Sequence, residues 1–178
     1  MKCSETPLGQ VQVWDRFIRI FHWSLVALVP LAFFSHGGLR DVHRWTGYAI
    51  LFLVAARVIW GFYGGQHARF ANFVPNLAGL VHYLGQVMRR KEPRTLGHNP
   101  AGAAMVMALL LNLLGIVGTG LLLDTTRYRD HRPLLALHDG LSDGLLLLIM
   151  LHLMGMLCTS VRHRENLILS MVTGRKNP

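Results

Sequence analysis

Four histidines stand within or at the ends of apolar segments, where ionisable side chains are costly and usually serve a function. They are His22, His43, His138 and His152. The last two are 14 residues apart, which is close to four turns of an α-helix. They therefore share one helix face and lie about 21 Å apart along its axis. Because a neutral imidazole nitrogen binds metals well, all four histidines are candidate ligands.

If the apolar segments cross a membrane one after another, the histidines that lie at the same depth form pairs. His43 and His138 then lie near the outer surface, and His22 and His152 lie near the inner one. Zinc needs four ligands, or three and a water, so two imidazoles at one level suit it poorly. An iron porphyrin needs only two axial ligands, and the spacing therefore predicts two bis-histidine haems.

Two other interpretations of the histidines stay open. Each of the four can be a buried or interfacial histidine with a purely structural role. His36 and His131 also lie near the outer surface, where they compete with His43 and His138 as ligands, although both stand in polar turns.

Three arginines are candidate partners for the propionates of a haem. Arg57 lies 14 residues after His43, so it shares that helix face at the inner level. A buried arginine needs an anionic partner, whereas an arginine at the membrane boundary can extend its charge into water. Arg19 and Arg44 stand near His22 and His43, and either hold propionates or anchor their helices.

The elements that must position these residues are four apolar blocks, and each is long enough to cross a bilayer, which takes about 20 residues. Hydrophobic residues make up 52% of the 178-residue chain and charged residues 15%. The predicted helices run over about 17–34, 45–62, 101–123 and 134–161. We predict a single domain, residues 1–178, with an all-α fold: an integral membrane four-helix bundle.

Lysine and arginine are distributed unevenly between the two ends of these helices. Twelve flank the ends shared by the N-terminus, the long loop over 63–100 and the C-terminal tail, whereas five flank the opposite ends. The positive-inside rule then places both termini in the cytoplasm. Because the formal charge of +9 is concentrated in these flanks, we expect membrane lipid as a partner and no nucleic acid. An amphipathic segment of the long loop, FVPNLAGLVHYLGQVMRR, is predicted to lie on the membrane surface.

Five short motifs keep an order and spacing that resemble the bacterial cytochrome b561 family. They are RIFHWSLVA, HRWTGY, ARVIWG, GHNPAGA and the closing HRENL…MVTGRK. This family is related to the b-type cytochrome subunits of nickel–iron hydrogenases, and the resemblance covers nearly the whole chain. It implies four helices in the bacterial inner membrane, two b haems, and His22, His43, His138 and His152 as axial ligands.

The resemblance also implies electron transfer between the quinone pool, ubiquinone or menaquinone, and a periplasmic partner. That partner is superoxide or a c-type cytochrome, and a superoxide:ubiquinone oxidoreductase is one form of this function. One alternative is a haem-bearing membrane anchor subunit of a hydrogenase or another peripheral dehydrogenase. A second alternative is a metal-cation transporter, which would use the same histidines and be colourless.

Overall fold

The computed structural model describes residues 9, 11–65, 68–74, 76–95, 97 and 99–176 of the chain. Within these residues there are seven helices and a two-stranded sheet. In chain order they are β1 (Val11–Gln12), α1 (Arg16–Ser35), α2 (Arg40–Tyr63), α3 (Phe70–Phe73), α4 (Leu77–Met88), α5 (Pro100–Leu123), α6 (Arg132–His163), α7 (Leu167–Thr173) and β2 (Arg175–Lys176).

Helices α1, α2, α5 and α6 are long and apolar enough to cross a membrane, with 20, 24, 24 and 32 residues. This confirms the predicted all-α membrane bundle of four helices. Each helix begins earlier than its apolar block, and at α1 and α5 a side-chain hydrogen bond marks the start. The carboxylate of Asp15 accepts from the amide of Ile18 at the start of α1, and Asn99 caps Gly102 at the start of α5 in the same way.

The core of the bundle is small and apolar. Ile50, Val54, Leu113, Val117 and Leu145 form one buried cluster shared by α2, α5 and α6. Large apolar side chains also cover the outside of the bundle, where they are exposed. A helix that is apolar on all sides is typical of a membrane span, because its outer face meets lipid instead of water.

The segments near the two chain ends meet at one end of the bundle. Strand β1 pairs with β2 in an antiparallel register that sets Val11 opposite Lys176. We call this the inner end, and the opposite end, which carries the α1–α2 and α5–α6 turns, the outer end. Strands β1 and β2 therefore lie together at the inner end, and the cytoplasmic location of the termini stays a prediction.

The predicted amphipathic segment of the long loop forms α4, which begins after Asn76, whose side chain accepts from the amide of Gly79. This helix packs against α5 and buries Tyr83. Its opposite side exposes Leu77 and Val81. The place of this segment on the membrane surface stays a prediction.

Candidate functional site

The inner pair of histidines joins α1 to α6. The ring centroids of His22 and His152 are 6.5 Å apart, and their planes are inclined by 57°. Nδ1 of His22 is buried and has no hydrogen-bond partner among the described residues. The helices thus bring together the two inner histidines that depth alone had paired.

The outer pair joins α2 to α6 in a similar way. The ring centroids of His43 and His138 are 6.3 Å apart, with planes inclined by 77°. Nδ1 of His43 lies 2.8 Å from the carbonyl oxygen of Ala32, and Nδ1 of His138 lies 2.9 Å from Oγ1 of Thr119. With Nδ1 engaged, each outer ring has Nε2 available as a metal ligand.

The spacing of each pair suits two ligands on opposite sides of one metal. An imidazole nitrogen binds a first-row metal at about 2 Å, and the ring centre lies about 1 Å behind that nitrogen, so two such rings have centres about 6 Å apart. In the part of the chain that the structure describes, no group of three or more His, Cys, Asp or Glu side chains could hold a metal ion. Each pair therefore fits a metal that brings its remaining donors with it.

Two of the three predicted arginines offer buried donors at the inner end. Arg57 is only 3% exposed. Its Nη2 donates to the carbonyl of Ala68 at 3.2 Å, and its guanidinium stands 5.0 Å from the ring centroid of Phe70. Nη1 of Arg57 and Nε of Arg19 are both buried without a partner among the described residues. These two nitrogens are free to donate to an anion.

The third arginine, Arg44, is placed differently. It forms ion pairs with Asp41 at 3.1 Å and Asp124 at 3.9 Å at the outer surface. Asp124 also accepts a 2.6 Å hydrogen bond from the hydroxyl of Tyr48. The charge of Arg44 is thus already opposed by two carboxylates, and its role as a propionate partner stays a prediction.

The two competing histidines lie outside both pairs. Nδ1 of His36 contacts the carbonyl oxygen of Phe33 at the end of α1. Nδ1 of His131 accepts from the amide of Leu134, 3.2 Å away, and so caps α6. Both side chains therefore have local contacts at helix ends.

Sequence reasoning missed three features around the outer pair. The first is Thr119, which contacts His138 from α5. The second is Gly120, where an added Cβ would lie 3.2 Å from Cε1 of His138. Their positions against His138 depend on the register of α5 on α6, which no local motif reveals. The third is a pair of carboxylates, Asp139 and Asp143, which lie exposed on α6 and were visible in the sequence HDGLSDG.

Fold and sites together define a multi-pass membrane protein with a pair of facing histidines at each end of its bundle. The profile of the family described as prokaryotic cytochrome b561 matches residues 13–174, and the chain therefore belongs to this family. The chain is also 25% identical, over 211 aligned positions, to the "Probable Ni/Fe-hydrogenase B-type cytochrome subunit" of Rhizobium leguminosarum bv. viciae. That alignment covers 93% of this chain and 88% of the relative. No solved structure matches the chain significantly.

The family implies haem b, and the residues present fit this group. Each pair of rings has a separation at which two histidines could hold one metal, and the outer rings keep Nε2 available. The buried free nitrogens of Arg57 and Arg19 suit carboxylates such as propionates. Gly47, one turn after His43, leaves open space, because an added Cβ would meet no atom within 4 Å. The chain is therefore a membrane cytochrome that transfers electrons through haem.

Proposed function

We propose that the chain holds two b haems and conducts electrons across the bacterial inner membrane. His22 and His152 would bind the inner haem, and His43 and His138 the outer one. The observation that supports this most is the presence of two histidine pairs of nearly equal spacing, 6.5 and 6.3 Å, at opposite ends of one bundle. Helix α6 contributes one ligand to each pair, and these two ligands are about 21 Å apart along its axis.

A bound haem would supply one-electron chemistry, and ligation by two histidines would leave no metal position open to oxygen. The protein's own contribution is to hold the ligands and keep water out. Ile50, Val54 and Leu145 lie along the helices between the levels of the two pairs and belong to the buried cluster. This apolar packing lowers the local dielectric constant between the sites.

The arginines at the inner end would hold the propionates of the inner haem. Arg57 carries a buried Nη1, and Arg19 carries a buried Nε, with no partner among the described residues. A charge-assisted hydrogen bond to a propionate would satisfy each of them. At the outer end Arg44 is the candidate for the same role, in competition with Asp41 and Asp124.

The partners we propose are membrane quinone, ubiquinone or menaquinone, and a redox partner in the periplasm. The outer turns and the adjoining ends of α2 and α6 carry five arginines against three aspartates, a net charge of +2, which favours a negatively charged partner at this rim. Asp139 and Asp143, farther along α6, oppose part of this charge. Superoxide and the acidic face of a c-type cytochrome both fit this charge. The outer residues counted are Arg40, Arg44, Arg127, Arg129 and Arg132, and Asp41, Asp124 and Asp130.

A second candidate function is a haem-bearing anchor subunit for a hydrogenase or another peripheral dehydrogenase. It is favoured by the relative in Rhizobium leguminosarum bv. viciae, whose printed name assigns it to a Ni/Fe-hydrogenase. Purification of the chain from its native membrane separates the two functions. An anchor subunit copurifies with a dehydrogenase in fixed stoichiometry, whereas an independent cytochrome does not.

Haem content of single variants tests the proposed function. The purified wild-type chain should contain two haems by pyridine haemochrome assay. His22→Ala and His152→Ala should each lose the same spectral component, and His43→Ala and His138→Ala should each lose the other. His36→Ala is the matched control and should keep both haems. A colourless wild-type protein would support the cation transporter instead, and loss of one shared component in His22→Ala and His43→Ala would show that the pairing is wrong.

A further inference from the structure

The two histidine pairs differ in the contacts of Nδ1, the ring nitrogen that would stay unligated if Nε2 bound the metal. At the outer site, Nδ1 of His43 has the carbonyl of Ala32 as a partner, and Nδ1 of His138 has the hydroxyl of Thr119. At the inner site, Nδ1 of His22 is buried and has no partner in the described part of the chain. The outer ligands are thus held by second hydrogen bonds that His22 lacks.

Both outer partners act as acceptors. The carbonyl oxygen of Ala32 lies in the last turn of α1, where the helix dipole is negative. It also accepts from the hydroxyl of Ser35 at 3.1 Å, and a carbonyl group has no proton to donate. The hydroxyl of Thr119 donates to the carbonyls of Gly115 and Ile116, at 2.8 and 2.9 Å. Its one proton is therefore used, and its oxygen accepts from His138. Both outer rings are consequently fixed with the proton on Nδ1.

An imidazole that donates its Nδ1 proton to an acceptor is a more basic ligand through Nε2. A more basic ligand stabilises the oxidised, more positive metal and lowers its reduction potential. Resting on the two-haem function proposed above, we propose that Thr119 is a positioning residue for His138. Together with the carbonyl of Ala32, it gives the outer site the lower reduction potential of the two.

The charges at the inner site also favour a higher reduction potential there than at the outer site. Arg57 is 3% exposed, and neither Arg57 nor Arg19 forms an ion pair within the described residues, although the charge of Asp15 acts on Arg57 from beyond ion-pair distance. A buried positive charge favours the reduced form of a nearby metal. At the outer end, by contrast, Arg44 is opposed by two carboxylates.

This order of reduction potentials sets the direction of electron transfer between the two sites. Transfer of one electron from the outer site to the inner site would then be favourable, with the outer site oxidised and the inner site reduced. Electrons therefore move spontaneously from the periplasmic side to the cytoplasmic side. Oxidation of a one-electron donor outside and reduction of quinone at the inner end agree with this direction.

Potentiometric titration of the purified, haem-loaded full chain tests the order, with visible absorbance as the readout. In His152→Ala, which lacks an inner ligand, the remaining component should be the one with the lower potential in the wild type. In His43→Ala the remaining component should be the one with the higher potential. If His152→Ala instead keeps the component with the higher potential, the inference is overturned. This test needs no substitution of Thr119.

Substitution of Thr119 tests the cause of the order. Thr119→Val keeps the shape of the side chain and removes the hydroxyl, so it should raise the lower potential and leave the higher one in place. Thr119→Ser keeps the hydroxyl and should restore the wild-type value. Ser142→Ala is the control, because the hydroxyl of Ser142 bonds to the carbonyl of His138 and not to its ring.

The failures of the two proposals are distinguishable. A wild-type chain with no haem, or with one, contradicts the proposed function. Two haems whose potentials do not respond to Thr119→Val contradict only the role of Thr119. If Thr119→Val loses the outer haem, the comparison of His152→Ala with His43→Ala still decides which site has the lower potential.

Discussion

Glu165 connects three segments at the inner end of the bundle, and its replacement by glutamine should loosen all three. Its carboxylate accepts a 2.7 Å hydrogen bond from Arg94, which precedes α5, and its second oxygen lies 3.6 Å from Nζ of Lys176 in β2. Strand β2 pairs with β1, which leads directly into α1 and His22. We therefore expect Glu165→Gln to weaken the attachment of the chain ends and, through α1, the inner site.

The size of this effect follows from burial. The side chains of Glu165 and Lys176 are 14% and 5% exposed, whereas that of Arg94 is 36% exposed. An exposed ion pair contributes about 0.2–1 kcal/mol, and a hydrogen bond to a charged group about 1.5–3 kcal/mol. We take an intermediate loss of about 2 kcal/mol in the free energy of unfolding. For a chain of this length that corresponds to a fall in Tm of about 4–8 °C.

The effect should also depend on pH. Burial alone raises the pKa of Glu165, but the hydrogen bond from Arg94 and the charges of Lys176 and Arg94 outweigh it, and the pKa lies below its usual value. A carboxyl group with a lowered pKa in the folded state stabilises the fold above its unfolded pKa of about 4.3. That stability is lost as the pH falls through the folded pKa. The difference between wild type and Glu165→Gln should thus be complete at neutral pH and vanish in acid.

Thermal unfolding in detergent, followed by circular dichroism and by haem absorbance, measures this effect. Asp130→Asn is the matched control, because it makes the same change of a carboxylate to an amide at a residue with no described ion pair. The control should unfold at the wild-type temperature. An unchanged Tm in Glu165→Gln, or an equal loss at acid and neutral pH, would refute the reasoning.

Three further predictions concern the outer end. A reporter fused near Arg129 should be periplasmic and one at the C-terminus cytoplasmic, and the reverse labelling would contradict the charge count. Reaction of the outer haem with an anionic partner should slow as salt shortens the Debye length from about 30 Å at 0.01 M to about 10 Å at 0.1 M, as stopped-flow kinetics would show. The Arg127→Gln, Arg129→Gln double variant should be slower and less sensitive to salt, whereas equal rates in both proteins would leave these arginines only an anchoring role. Gly120→Val should lose the outer haem alone, because its Cβ would lie 3.2 Å from His138 Cε1. Gly118→Val, whose Cβ would meet no atom within 4 Å, should keep both haems in the pyridine haemochrome assay.

The four helices and the level of each histidine could be predicted from the sequence. A bilayer requires about 20 apolar residues per helix, and this constraint makes the spans visible in composition. Because the helices alternate in direction, position along a span also gives depth. Depth alone placed His22 with His152 and His43 with His138, and the 14-residue spacing on α6 followed from helix geometry.

The contacts that distinguish the two sites were decided by tertiary structure. Thr119 meets His138, and the carbonyl of Ala32 meets His43, because neighbouring helices pack in one register and one rotation. Register depends on how side chains interlock across the whole contact, and no local pattern in the sequence specifies it. The same is true of Arg57, whose guanidinium contacts Ala68 and Phe70 in the long loop. Hydropathy records how deep a residue lies in the membrane, whereas the neighbour it faces depends on packing between segments distant in the chain.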